Sequence, residues 1–483
     1  MKKIAIFIFV LFIPFFVFAQ ENSSDLENDL FGGDEDTLIS AEEARSDSKS
    51  NLKFKADLEK ASLSLESKKL RIGGSLSSSM GINYAWVDPY SKKDDYLKSF
   101  KDGKGTFNTT LNGSLFFDAR PNEDLKLYGK FLFGFPFEKS LSGQGAAFVP
   151  KSIVPPNGLK LPAFVEVSGV PNIKIQELYT DFSAKDIAFF RFGKHAVKWG
   201  TGYFYSPADV INISRIDPQD PTADREGGIS LRTHIIIPKT QHNIWLYLLP
   251  PGQGEDFDPK YTAGAAKGEF VVGNWELGFG GWYKYEKAPR LITTVSGSIA
   301  GKVAVFGEGV FAWGSDYTYY KADMSPYTEK NKPFFQATLG GSYSNADTNT
   351  SIALQYFYNG FGYSNTDVST SILEKAEDPV SLSDASFRKK LQNVLAMGNR
   401  GQHYIALNIS QNKLGTDKLS LNLFQQFAIS ELEGFSKLTL NWKIYKFASM
   451  STGPSFSYPL SPNSKTKGQI GYSLSFRLGG GTF

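Results

Sequence analysis

The residues whose types and spacing could do chemistry gather between positions 188 and 232. Arg191 and Lys194 are followed there by Asp209, Arg215, Asp217, Asp220, Asp224, Arg225 and Glu226. Acids and bases this closely interleaved can line a constriction whose field sorts permeants by charge. They can equally neutralise one another in a self-contained, ion-paired loop that braces a pore mouth, and the sequence leaves both readings open. No catalytic constellation accompanies them: there is no H-E-x-x-H, no G-x-S-x-G and no phosphate-binding glycine loop. With no cysteine in the chain, thiol nucleophiles, disulfides and cysteine-ligated metals are excluded. His195, His234, His242 and His403 stand apart from one another and read as strand or rim residues. The expectation is a protein with no catalytic residues, no metal and no cofactor.

Pro207, Pro218 and Pro221 fix φ and remove donors, so residues 200–227 are predicted to form a long loop and no regular strand. Asp209, Asn212, Asp217 and Asp220 are placed to cap local turns through their side chains. Loops of that length often carry function. On the stretch just before it, Arg191, Gly193 and His195 share one face. Phe190 and Phe192 share the other, but Lys194 and Lys198 follow them in phase. The alternation breaks near Gly193, as at a bulge. Either Arg191 or Lys194 could then point inward, and Lys198 fits a solvated rim equally well.

The elements that must hold this segment show a period of two. Leu70, Ile72, Leu76, Met80, Ile82 and Trp86 alternate with small or polar residues, as do Phe107, Leu111, Leu115 and Phe117. Leu125, Leu127, Phe131 and Phe133 follow across a short turn. The pattern recurs at 229–237, 277–283, 303–311, 335–343, 352–358, 419–423, 438–444 and 470–478. Strands of about ten residues cross a bilayer at a tilt, and an open edge does not survive in hydrocarbon. The expected fold is all-β, a transmembrane antiparallel β-barrel of about 16 strands (range 14–18) over residues 53–483. Trp86, Trp199, Trp313 and Tyr363 are expected in the interfacial aromatic girdles. Composition agrees: 14% aromatic, 46 glycines and only 41% hydrophobic suit a wall with one apolar face and one wet face. Residues 371–400 are the best helical stretch, either an amphipathic piece of an external loop or a helical lid.

Lys2 and Lys3 precede an apolar run from Ile4 to Phe18 that ends at Ala19, the pattern of a secretory signal peptide over residues 1–19. A retained anchor is the alternative reading. Ten acids then fall between Glu21 and Asp47, predicting a solvated, flexible, acidic periplasmic arm over 20–52. Leu30-Phe31-Gly32-Gly33 could instead dock on a partner or inside a lumen. From residue 50 onward the chain holds 48 basic and 39 acidic residues, a formal +9 hidden within a total of +3. So modest a total argues against a nucleic-acid partner.

Between 188 and 232 the chain resembles a broad set of bacterial outer-membrane porin-like proteins, including alginate-export-type, spirochaetal and uncharacterised porins. The likeness rests on Gly193-Lys194…Val197…Trp199-Gly200, then Pro207…Asp209…Asn212, Asp217-Pro218…Pro221 and Arg225-Glu226-Gly227. The last strand, with Tyr472, Phe476 and the terminal Phe483, is similar to the outer-membrane assembly signal, although Gly479–Thr482 interrupts it. The resemblance implies the bacterial outer membrane, with its lipid and its barrel-assembly machinery as partners, and a channel passing small solutes. A basic wall would lean toward anions. A transporter of hydrophobic molecules such as fatty acids, or a non-conducting structural or adhesive barrel, are the alternatives.

Overall fold

A computed structural model describes residues 70–86, 98, 101–122, 124–135, 172–184, 187–252, 258–376, 378–461, 464 and 468–482. The expected signal peptide, the acidic arm and Phe483 lie outside the described residues. The strands are β1 (Leu70–Trp86), β2 (Lys104–Asn122), β3 (Leu125–Phe135), β4 (Asn172–Ala184), β5 (Ala188–Lys194), β6 (Ile229–Ile236), β7 (Asn243–Leu249), β8 (Ala263–Val272), β9 (Trp275–Tyr283) and β10 (Arg290–Ile299). They continue with β11 (Val303–Trp313), β12 (Tyr319–Tyr320), β13 (Pro326–Tyr327), β14 (Pro333–Asn345), β15 (Thr350–Asn359), β16 (His403–Gln411), β17 (Leu419–Ala428), β18 (Glu433–Tyr445), β19 (Ala448–Pro459) and β20 (Gly468–Thr482). Helices α1 (Asp367–Lys375), α2 (Pro379–Ser383) and α3 (Ala385–Ala396) lie between β15 and β16.

All of these strands except the small β12–β13 hairpin join one 18-stranded sheet. Successive strands pair antiparallel, and β1 also pairs with β20 from Gly73–Thr482 to Trp86–Gly468, which closes the ring. The count exceeds the expected sixteen by two and stands at the top of the expected range.

Connections at one end are tight. Gly273 turns β8 into β9 at φ 62°, and Ala300-Gly301-Lys302 turns β10 into β11 with φ positive at Ala300 and Gly301, the conformation of a type I′ turn. The other end carries the long connections 195–228, 314–332 and 360–402. Strand β15 shows the two faces of the wall. Ile352, Leu354 and Tyr356 are 38–51% exposed, while Ser351, Ala353, Gln355 and Phe357 between them are at most 3% exposed. Leu76, Leu115, Leu291, Leu339 and Leu474 repeat the exposed apolar face around the ring. Among the described residues, no helix is long and apolar enough to cross a membrane.

The polar face is covered by the 195–228 segment, which brings its own core. Val197, Trp199, Ala208 and Ile211 pack with Tyr247, Ala265, Ile292 and Val310, while Phe204 and Tyr205 pack with Phe357, Tyr404 and Phe424. Burying rings as large as Trp199 and Phe204 contributes about 2–3 kcal/mol each. A third cluster, at the long-loop end, joins Tyr320 to Ile372, Leu391 and Val394 of the helices. The helical stretch expected at 371–400 is therefore three helices with a common apolar core.

Candidate functional site

The segment leaves the wall at Gly193. Its φ of 131°, and the 2.3 Å that would separate a Cβ from the Leu178 carbonyl oxygen, require glycine there. Opposite, β4 bulges at Gln176, where its register with β3 shifts between Lys130 and Phe131. The broken alternation is thus a real departure of the chain. Arg191 falls on the covered face, where it grips Asp181 through two bonds of 2.7 and 2.9 Å and lies over the Tyr179 ring at 4.1 Å. Its register partner on β6 is Arg232. Lys194, the last residue of β5, donates to Glu226 at 2.8 Å and to the Ile175 carbonyl at 2.9 Å.

The Val197, Asp209, Asn212 and Arg225 side chains and backbone form a clip. Asn212 receives the Val197 amide at 2.8 Å, donates back to the Val197 carbonyl at 2.5 Å, and reaches both Asp209 oxygens at 2.9 Å. Arg225 closes on Asp209 at 2.6 Å. Burial pushes the Asp209 carboxyl above its usual range, against the pull of Arg225 and Asn212. Gly227 is needed because a Cβ there would sit 1.6 Å from the His195 carbonyl oxygen. His195 is fully buried, with Nδ1 3.1 Å from the Gly193 carbonyl oxygen and Nε2 3.5 Å from the Ser230 hydroxyl. Burial first, then the Arg191 and Arg232 guanidiniums, bring its pKa down to about 3, so the ring is neutral.

Three wall residues that sequence reasoning passed over anchor the segment. Glu308 of β11 accepts the amides of Thr201 at 2.6 Å, Gly202 at 2.5 Å and Ala208 at 2.8 Å, and the Ser206 hydroxyl at 2.9 Å. Gln355 of β15 accepts the Tyr203, Phe204 and Tyr205 amides and donates to the Tyr205 carbonyl at 2.6 Å. Lys267 of β8 donates to the Trp199 carbonyl at 3.0 Å and pairs with Glu269 at 2.8 Å. The available signal was a lone polar side chain in a strand with few others, as in Gly307-Glu308-Gly309.

The remaining site residues separate. Asp224 pairs with Lys130 of β3 at 2.5 Å, and Glu226 with Lys174 of β4 at 2.5 Å as well as Lys194. Asp217 and Asp220 form a small backbone turn, accepting from the Gln219 amide and the Thr222 hydroxyl. Arg215 goes elsewhere. Its guanidinium donates to the Met397 carbonyl after α3 and to the Tyr317 hydroxyl of the 314–332 connection.

Trp199 corrects an expectation. It is 1% exposed, edge-on to Tyr247, and cannot serve in an interfacial girdle, because the chain has already turned off the wall where it sits. Tyr363 is half-buried against Tyr319 and its hydroxyl receives the Tyr320 amide, so it belongs to the loop packing. Trp313 closes β11 at 52% exposure, Trp86 closes β1, and Tyr472 and Phe476 are exposed on β20.

Among the described residues no group of His, Asp and Glu is placed to hold a metal ion. No protein-family model and no curated protein matches the chain. Solved structures do. OpdK of Pseudomonas aeruginosa with vanillate is 8% identical at a TM-score of 0.45, over 86% of this chain and 99% of that one. OccK8 (OprE) of the same organism is 9% identical at 0.44, over 85% and 98%. OmpF of Salmonella typhi in complex with daunomycin is 8% identical at 0.38, over 85% and 97%. The chain is similar to these proteins in general architecture, without a residue-by-residue correspondence.

Proposed function

We propose that the chain is a channel of the bacterial outer membrane through which small solutes diffuse, narrowed by the 195–228 segment folded into the lumen. The observation that carries this reading is the pair of faces on a closed ring. An apolar side suits lipid. The other side is polar, and on it one loop reaches β8, β11, β15 and β17 through Lys267, Glu308, Gln355 and the Gln426–Tyr205 bond. A loop that touches strands so far apart around a ring, all on the same face, fits within the ring. Solutes would pass beside it, sorted by radius and charge with no covalent step.

A lean toward anions is part of the proposal. Asp209, Asp224 and Glu226 are each met by a base, as Arg191 is met by Asp181. Arg232 is in no ion pair among the described residues. Its guanidinium lies 5.5 Å from the Trp245 ring with Nε buried and without a hydrogen-bond partner. The lean toward anions is assigned to this guanidinium.

Planar-bilayer recording of the refolded chain tests the reading. Ohmic steps with a reversal potential favouring anions are expected, and a folded protein that never conducts would leave the structural or adhesive barrel, or a plugged transporter of hydrophobic molecules, in its place.

A further inference from the structure

The wall has a step above β5. On that side the β4–β5 ladder ends at the Leu178–Lys194 pair, while β4 continues for six more residues to Asn172 and stays paired with β3. Side chains and loop backbone fill the place of the missing strand. Lys194 caps the Ile175 carbonyl, Gln176 donates to the Arg225 carbonyl at 2.8 Å, and Glu177 accepts the Ala196 amide at 3.2 Å. The amides of Ile213 and Ser214 converge on the Glu226 carbonyl. The Glu226 carboxylate sits at the centre. In register, Lys174 pairs with Leu132 and lies in phase with Lys130 on the covered face, whereas Lys194 follows Phe190 and Phe192, in phase with the exposed apolar face. Both lysines reach the same carboxylate, at 2.5 and 2.8 Å, so it lies in the plane of the wall.

Two ammonium groups converge on one carboxylate here, at the edge of hydrocarbon, with the Glu177 carboxylate as the second acid of the step. Around it Ile173, Ile175, Ile229 and Phe192 expose 67, 42, 55 and 53% of their surface on the apolar side. Apolar chain outside, paired cations in the wall and a polar lumen behind them match one ligand chemistry: a single acyl chain ending in a carboxylate.

We propose that this step is a lateral binding site for carboxylate-headed, single-chain amphiphiles taken from the surrounding bilayer, with Glu226 occupying the headgroup position until one displaces it. The site rests on the reading of the barrel as a membrane protein and gives it a second entrance, separate from the axial path.

Isothermal titration of laurate into the full mature chain, in micelles of an uncharged detergent, tests it without depending on conductance. Dodecyltrimethylammonium, with the same chain and the opposite charge, is the control. Laurate should bind and the cation should not. Lys174→Ala with Lys194→Ala should weaken laurate at least about tenfold, and Glu226→Gln, which frees both lysines, should tighten it about tenfold. Heat-modifiable gel migration verifies that each variant is folded. Absent laurate binding, equal binding of the two amphiphiles, or an unchanged affinity in the double-lysine variant would each overturn the site. Failure of the channel reading would show separately, as folded wild type that does not conduct.

Discussion

A buried carboxylate holds a loop only if its lone pairs are met, and Glu308 is met by three amides and one hydroxyl. Glu308→Ala would orphan all four donors at a cost on the order of 4 kcal/mol or more, since each unsatisfied buried group costs about 1–3 kcal/mol. Glu308→Gln keeps one acceptor oxygen and should lose less. Hydrogen exchange at Thr201, Gly202 and Ala208 reads the difference: protection should fall in the order wild type, Gln, Ala, and equal protection in all three would mean that packing alone secures the segment. Charge at the same scale divides the arginines by what they touch. Arg232→Ala should move the reversal potential toward cations, because it removes a positive charge that no ion pair among the described residues offsets. Arg215→Ala should shift selectivity less and loosen the helices, because Arg215 lies at the long-loop end, held by the Met397 carbonyl and Tyr317. Equal shifts in the two variants would refute that division. The sequence made all of these charges visible but could not assign their partners. Asp209 and Arg225 are close in the chain, whereas Glu308 meets its donors a hundred residues away.

Elements were legible where a single period ran through them. Strands such as β1, β2 and β14 alternate without interruption, and their limits follow from the sequence closely. Strand β4 was hidden because the bulge at Gln176 swaps its faces midway. Strand β19 is serine-rich and carries Pro454 where its ladder to β18 skips from Lys437–Ser455 to Leu440–Thr452. The 195–228 segment was recognisable as a loop from its prolines, but nothing local announces that it packs like a core. Its hold on the wall should depend on pH through His195. The folded pKa, near 3, lies below the ordinary 6.5, so the unfolded segment binds the proton that the folded one refuses. Stability from this group is therefore complete above 6.5 and is lost as pH falls toward 3. Limited proteolysis across that window should nick the segment increasingly in wild type. His195→Asn, which cannot take the proton, should flatten the profile, and a parallel rise in both proteins would assign the acid sensitivity to another group.

At the scale of the whole molecule, closure and charge act together. The ladder closes on itself, and where the wall runs short at β5, β6 and β7 the 195–228 loop packs behind β7 and bonds to the free edge of β4. In the full chain ten acids between residues 21 and 47 precede residues 50–483, which carry a formal +9. If the acidic arm lies within reach of the tight-turn end, where β1 begins, its field opposes that of the lumen. A chain trimmed to residues 50–483 should then favour anions more strongly than one beginning at residue 20 at about 0.1 M salt, where fields extend about 10 Å, and the gap should close near 1 M, where they extend about 3 Å. A difference that persists undiminished at high salt would instead mean that the arm obstructs the pore by its bulk. No difference at either concentration would place the arm beyond electrostatic reach of the mouth, and the selectivity of the channel would then be the property of the barrel and its inner loop alone.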